Sequence, residues 1–122
     1  MKIWEVSEES SEVTLLTTLL FKCSVTAVAW APFPSGESEK QLYMIAIGKE
    51  DGSLELWRSE PGKKKLDMVF ASKVDAFLCH AATIHRLCWR RLPKTSVQVE
   101  ERLQLASCGA DHTVRIYNVN LS

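Results

Sequence analysis

Two stretches of this chain repeat one another about 60 residues apart, and units repeated at that period bury their apolar faces by stacking on one another. Ser24–Ala31 superposes on Thr83–Arg90 at an offset of 59, which sets Val25, Val28 and Trp30 on Ile84, Leu87 and Trp89. The 13-residue block Ile45–Trp57 superposes on Leu105–Tyr117 at an offset of 60. Each unit alternates apolar and β-branched residues around a turn, Lys49–Gly52 in one and Gly109–His112 in the other, the pattern of antiparallel hairpins. Glu12–Phe21 and Leu66–Ala71 each supply one further strand, and Lys2–Val6 resembles the strand at Leu54–Trp57. Leu15–Leu20 could begin an amphipathic helix, but Thr17, Thr18 and the flanking Val13 and Val25 favour strand. The expected chain is all-β. Residues 1–21 close one sheet, 22–71 form a whole sheet and 80–119 give three strands of the next.

Composition removes several alternatives. With 46% hydrophobic and 25% charged residues in 122, the chain reads as one soluble globular domain rather than a disordered one. Lys plus Arg and Asp plus Glu both number 15, so no global field draws it to nucleic acid or to a membrane surface. Stretches such as Leu15–Phe21 fall far short of the roughly 18 apolar residues a membrane helix needs. Glu5, Glu8, Glu9 and Glu12 stand where a secretory signal requires an apolar core, so an intracellular protein without a membrane partner is expected. Cys23, Cys79, Cys88 and Cys108 form no Cys-x-x-Cys pair and are expected to be reduced and partly buried.

The turns carry the more specific signal. Asp51 and Asp111 sit in the tight turn between the second and third strands of each unit, where a carboxylate can accept nearby backbone N–H groups. This resembles the WD-repeat pattern, which adds a histidine before the first strand, Ser or Thr in the second and Trp closing the third, joined by buried hydrogen bonds. The second unit has His80, Ser107 and Asp111, with Tyr117 in the Trp place and Asn118 in place of the final Asp; whether the chain of bonds closes at Tyr117 stays open. The first unit keeps only Asp51 and Trp57, because Phe21 and Ile47 stand at the His and Ser positions. The resemblance implies a partial WD-repeat β-propeller, about two blades of four-stranded antiparallel sheet. A closed ring takes typically about 4 to 8 blades, so this chain does not close one alone.

The stretches Ala27–Trp30, His80–Arg90 and above all Ala106-Ser-Cys-Gly-Ala-Asp-His-Thr-Val114 resemble the C-terminal end of the Elongator subunit 2 family, over about Val25 to Val119. That resemblance implies a non-catalytic double-propeller scaffold in the complex that modifies the wobble uridine of transfer RNA, with the chemistry on another subunit. It implies the other Elongator subunits as partners, transfer RNA through the assembled complex, links to microtubules, and a place in cytoplasm and nucleus. No catalytic residue, cofactor or metal is carried over.

Three long connections, at residues 32–41, 58–65 and 90–101, are expected on one face. Arg58, Lys63, Lys64 and Lys65 against Glu60 give one of them net +3, and Arg90, Arg91 and Lys94 lie in another. Such a basic face would suit an RNA backbone or an acidic partner, against the plainer reading of solvated loop charge without aromatic stacking residues. A generic WD-repeat adaptor in another complex, or an RNA-contacting accessory module, is the alternative function.

Enzymatic readings are weaker. Ser107, His80 and Asp111 compose a Ser, His, Asp set, but each lies where the repeat places a buried structural bond. Cys79, His80, His85 and Cys88 could be drawn as a zinc site, yet strand alternation should put His85 and Cys88 on opposite faces, and His80 has its blade role. The four tryptophans fall at repeat positions and read as core anchors.

Overall fold

The structure, a computed structural model, describes residues 1–7, 9, 12–32, 43–59, 68–74, 78–92 and 102–120. These form nine strands and, among the described residues, no α-helix. β1 (Lys2–Val6) pairs antiparallel with β2 (Val13–Thr18), so the segment with a helical alternative is strand. β3 (Val25–Trp30), β4 (Met44–Lys49), β5 (Leu54–Ser59) and β6 (Met68–Lys73) form a four-stranded meander. β7 (Ile84–Arg91), β8 (Arg102–Gly109) and β9 (Val114–Asn120) form a three-stranded one. Antiparallel meanders of four and three strands, stacked through their first strands, are the architecture of partial WD-repeat propeller blades.

The repeat extends to irregularities that side-chain patterning does not reveal. β3 and β7 each carry a bulge at the same place, between Val25 and Ala27 and between Ile84 and Arg86. The β1–β2 and β5–β6 pairs share another, with the extra residue on β2 opposite Ile3/Trp4 and on β6 opposite Leu56/Trp57. A bulge adds local twist, so its recurrence gives successive sheets the same curvature and lets them stack. β1 is therefore the counterpart of β5, a third strand with β2 as its fourth.

Small residues make the stack dense. Ala27, Ala29, Ala46 and Gly48 line the face of the first blade turned to the second, and a Cβ on Gly48 would lie 2.7 Å from Ile84 Cγ2. Ile84 fills that notch, and Ala46, Leu54, Leu56, Cys79, Ile84 and Leu105 become one buried cluster shared by both sheets. Burying such side chains contributes roughly 1.5–3 kcal/mol for each large one. Hydrogen bonds fix the offset between the sheets. The Trp89 indole donates to the Ala29 carbonyl at 2.9 Å, Thr26 Oγ1 to the Ile84 carbonyl at 2.7 Å and Thr83 Oγ1 to the Glu50 carbonyl at 2.8 Å. A second cluster, Leu19, Ile45 and Ile47, joins the first blade to the β1–β2 hairpin through Met1 and Phe21.

Candidate functional site: the hydrogen-bonded blade network

The two turns after β4 and β8 are built alike. In Asp51-Gly52-Ser53 the carboxylate accepts the Ser53 N–H at 2.9 Å and the Ser53 hydroxyl; in Asp111-His112-Thr113 it accepts the Thr113 N–H at 3.1 Å and its hydroxyl at 2.7 Å. The middle residue is left-handed in both, Gly52 with φ 88° and His112 with φ 66°. These side-chain-to-backbone bonds hold the turn closed without help from the rest of the fold. They also depress both carboxyls. Asp51 is lowered by the Ser53 hydroxyl and N–H, and Asp111 is held well below the usual carboxylate range by the Thr113 hydroxyl first and His80 next.

From Asp111 the second blade runs inward. His80 Nδ1 donates to Asp111 Oδ1 at 2.9 Å, and Ser107 Oγ lies 2.7 Å from His80 Nε2. One ring nitrogen faces the carboxylate and the other the Ser107 hydroxyl, so the three residues form a relay running from turn to interface. The other carboxylate oxygen, Asp111 Oδ2, accepts the Ala81 N–H at 3.0 Å, which ties the histidine's own segment to the turn. His80 and Ser107 are 4% and 1% exposed, enclosed where the second blade packs on the first. Ser107 is enclosed, with His80 on one side and the Tyr117 phenol also within its reach, so its hydroxyl joins neighbouring parts of the blade.

Tyr117 takes another direction and donates its hydroxyl to the Leu78 carbonyl. Burial pushes the Tyr117 phenol up, an effect the Ser107 hydroxyl partly offsets. Asp51 and Trp57 are not joined. Asp51 bonds within its own turn, while the Trp57 indole nitrogen is buried with no hydrogen-bond partner, edge-on to Phe21 and Phe70 at 5.9 and 5.6 Å between centroids. Among the residues the sequence reading passed over, Thr113 and Ala81 complete the Asp111 shell, and Lys49 pairs with Glu55 while lying 5.1 Å over the Phe21 ring. The Asp-x-Ser/Thr spacing common to both turns was the signal for Thr113; nothing in the sequence marked the Lys49–Glu55 pair.

Arg58, Arg90 and Arg91 are exposed at the ends of β5 and β7, with Arg90 donating to Gln104, while Lys63, Lys64, Lys65 and Lys94 lie outside the described residues. The bulge at Ile84/Arg86 puts His85 out of simple alternation, which corrects the argument that strand phase alone separates it from Cys88. Among the described residues no group of three His, Cys, Asp or Glu could hold a metal ion. Burial raises the Cys79 thiol, whose sulfur lies 3.5 Å from the Val74 carbonyl; all four cysteines are free thiols. Among the described residues no helix is long and apolar enough to cross a membrane.

No protein-family model matches the chain. Elongator complex protein 2 of Arabidopsis thaliana is 32% identical over 97% of the chain, and that of Homo sapiens 34% identical over 80%. The Dictyostelium discoideum protein of the same name is 26% identical over 98%. The chain is related to Elongator complex protein 2. It spans only 14% of the length of the Arabidopsis Elongator complex protein 2 and 12% of the human one, so its two stacked sheets correspond to a small part of either. Its blade network lies inside the stretch shared with Elongator complex protein 2, since 97% of the chain is matched.

Proposed function

We propose that the chain serves as a non-catalytic WD-repeat scaffold within an Elongator assembly, and so supports modification of the transfer RNA wobble uridine by other subunits, in cytoplasm and nucleus. The observation that carries this reading is similarity to Elongator complex protein 2 along 97% of the chain. The enclosure of Ser107 and His80 in the blade interface supports the non-catalytic part, because the one Ser, His, Asp set among the described residues is closed to substrate. The partners proposed are the other Elongator subunits, with transfer RNA and microtubules reached through the assembly.

The test is co-expression of the tagged chain with the remaining Elongator subunits, followed by pull-down and size-exclusion chromatography. Co-elution in one complex is the expected result; a soluble chain that elutes alone overturns the reading. Exposed Arg58, Arg90 and Arg91 at one end of the sheets favour a second role, direct contact with an RNA backbone. Neutralising Lys63, Lys64 and Lys65 should then weaken salt-sensitive RNA binding, and unchanged binding would remove that role.

A further inference from the structure

Asp51 and Gly52 form the one Asp-Gly pair in the chain. An aspartyl-glycyl peptide rearranges more readily than other aspartyl peptides, because glycine has no side chain to obstruct attack by its own backbone nitrogen. The Gly52 nitrogen would attack Asp51 Cγ and close a five-membered succinimide through the new N–Cγ bond. The carboxyl C–O bond breaks, and its hydroxyl leaves as water with the amide proton. Water then reopens the ring. Cleavage of the new N–Cγ bond restores aspartate, whereas cleavage of the original peptide C–N bond leaves the chain running through Cβ and Cγ as isoaspartate. The water lost is the water regained, so the change is an isomerisation that needs no other reactant.

Packing is what puts a glycine after Asp51. Gly52 is buried with φ 88°, and a Cβ on it would run into the His80 carbonyl oxygen and come within 2.8 Å of that of Ala82. The segment leading into the second blade therefore leaves no space for a side chain, while in the equivalent turn the exposed His112 is tolerated at φ 66°. The covering that demands glycine also holds the two reacting groups apart. The Gly52 N–H donates to the Lys49 carbonyl at 3.0 Å, a bond that must break before its nitrogen can attack. Asp51 Oδ1 accepts the Ser53 N–H at 2.9 Å and the Ser53 hydroxyl, which together lower the carboxyl and keep it ionised, whereas loss of water needs it protonated. From the second blade Thr83 Oγ1 donates to the Glu50 carbonyl at 2.8 Å and fastens the turn from outside.

We infer that the Asp51–Gly52 peptide is an isoaspartate-forming modification site that the second blade holds shut, and that rearrangement there requires the turn to come away from residues 80–83. The product does not fit back. An isoaspartyl link adds Cβ to the main chain of a tight turn and takes the carboxylate away from the position that binds Ser53. Isoaspartate at residue 51 is thereby a lasting record of blades that have separated, and it presents a carboxylate that isoaspartyl methyltransferases recognise.

The full chain, incubated in native buffer and in guanidinium chloride at one pH and temperature, tests this. Isoaspartate is counted with a protein isoaspartyl methyltransferase and a labelled methyl donor, and its site is assigned by peptide mass spectrometry. The rate at residue 51 should be lower by about tenfold or more in native buffer, because reaction follows the population of the open turn. Thr83→Val removes the bond to Glu50 and should raise the native rate by about threefold or more while leaving the rate in guanidinium unchanged, since residue 83 is remote from the reacting pair in sequence. Trp89→Phe, which gives up the bond to Ala29, reads the same effect should Thr83→Val not fold. Equal rates in the two solvents, a native rate untouched by these variants, or a rate raised alike in both solvents would each overturn the inference.

Discussion

The relay in the second blade makes a quantitative claim about coupling. Ser107→Ala leaves His80 Nε2 enclosed in the blade interface without its 2.7 Å partner, and an unpaired buried polar group costs about 1–3 kcal/mol. His80→Phe keeps an aromatic ring of similar size, as Phe21 does at the same place in the first blade, and strips the Ser107 hydroxyl of that partner at a similar cost of about 1–3 kcal/mol. The double variant holds neither unpaired group, since replacing both partners by apolar groups is close to neutral. Its destabilisation should therefore fall short of the sum of the single changes by about 1–2 kcal/mol. The Asp111 bonds to Thr113 and Ala81 persist in every variant and cancel from the cycle. Urea unfolding followed by tryptophan fluorescence measures each corner, with a constant m-value confirming that only stability has changed. Additivity to within about 0.5 kcal/mol would show that His80 and Ser107 are neighbours without energetic coupling, and the relay would be refuted.

Gly52→Ala should destabilise by more than about 2 kcal/mol, because the added Cβ would lie 2.0 Å from the His80 carbonyl oxygen while φ is 88°; an unchanged urea midpoint would contradict this. His112 occupies the equivalent turn position at φ 66° but is exposed, so His112→Gly should raise stability by about 0.5–1 kcal/mol in the same assay. Gly48→Ala should destabilise through the 2.7 Å approach of its Cβ to Ile84 Cγ2, and in combination with Ile84→Ala, which removes Cγ2, the loss should fall short of the sum of the two single changes, where simple addition is the contrary result. Asp111 has a depressed folded pKa, so its contribution is complete above the ordinary carboxylate pKa of about 3.9 and declines as pH falls below it. Wild-type stability should accordingly fall more steeply than that of Asp111→Asn between about pH 5 and pH 2, and parallel curves would exclude the effect.

The parts of the fold that were legible in the sequence were those that repeat as side-chain patterns. The alternation in Val25–Trp30 and Leu105–Tyr117 and the Asp-centred turns carried the all-β reading, and His80, Ser107 and Asp111 were marked by their spacing before any geometry was known. Hydroxyl partners such as Thr113 and carbonyl acceptors such as Leu78 were not, because a backbone carbonyl belongs to every residue and only the folded path decides which one meets Tyr117. Bulges are invisible for the same reason: the register shift at Ile84/Arg86 changes the phase of β7 without any residue type that demands it. The strand placed at Leu66–Ala71 is Met68–Lys73, since Ser72 and Lys73 look like turn residues yet find β5 carbonyls and amides to pair with.

The degenerate first unit proves to be a coordinated replacement. In the second blade Gly109 is required by His80, whose ring Nδ1 would stand 2.9 Å from an added Cβ, and Ser107 supplies the partner for the far side of that ring. The first blade has Phe21 for His80, Lys49 for Gly109, Ile47 for Ser107 and Glu55 for Arg115. Each change makes sense only with the others. Phe21 offers no ring nitrogen, so Ile47 needs no hydroxyl and packs as one of the buried residues of its cluster. The Phe21 ring accepts the Lys49 ammonium over its face, where the positive charge is attracted to the π-electrons, and Glu55 closes the other side of the ammonium. The cost is left on Trp57, whose indole N–H is buried with no acceptor among the described residues. The first blade is held by packing and one enclosed ion pair, the second by a relay of neutral and charged hydrogen bonds, and the two interlock because both keep the Asp turn and the bulged first strand on which the stacking depends.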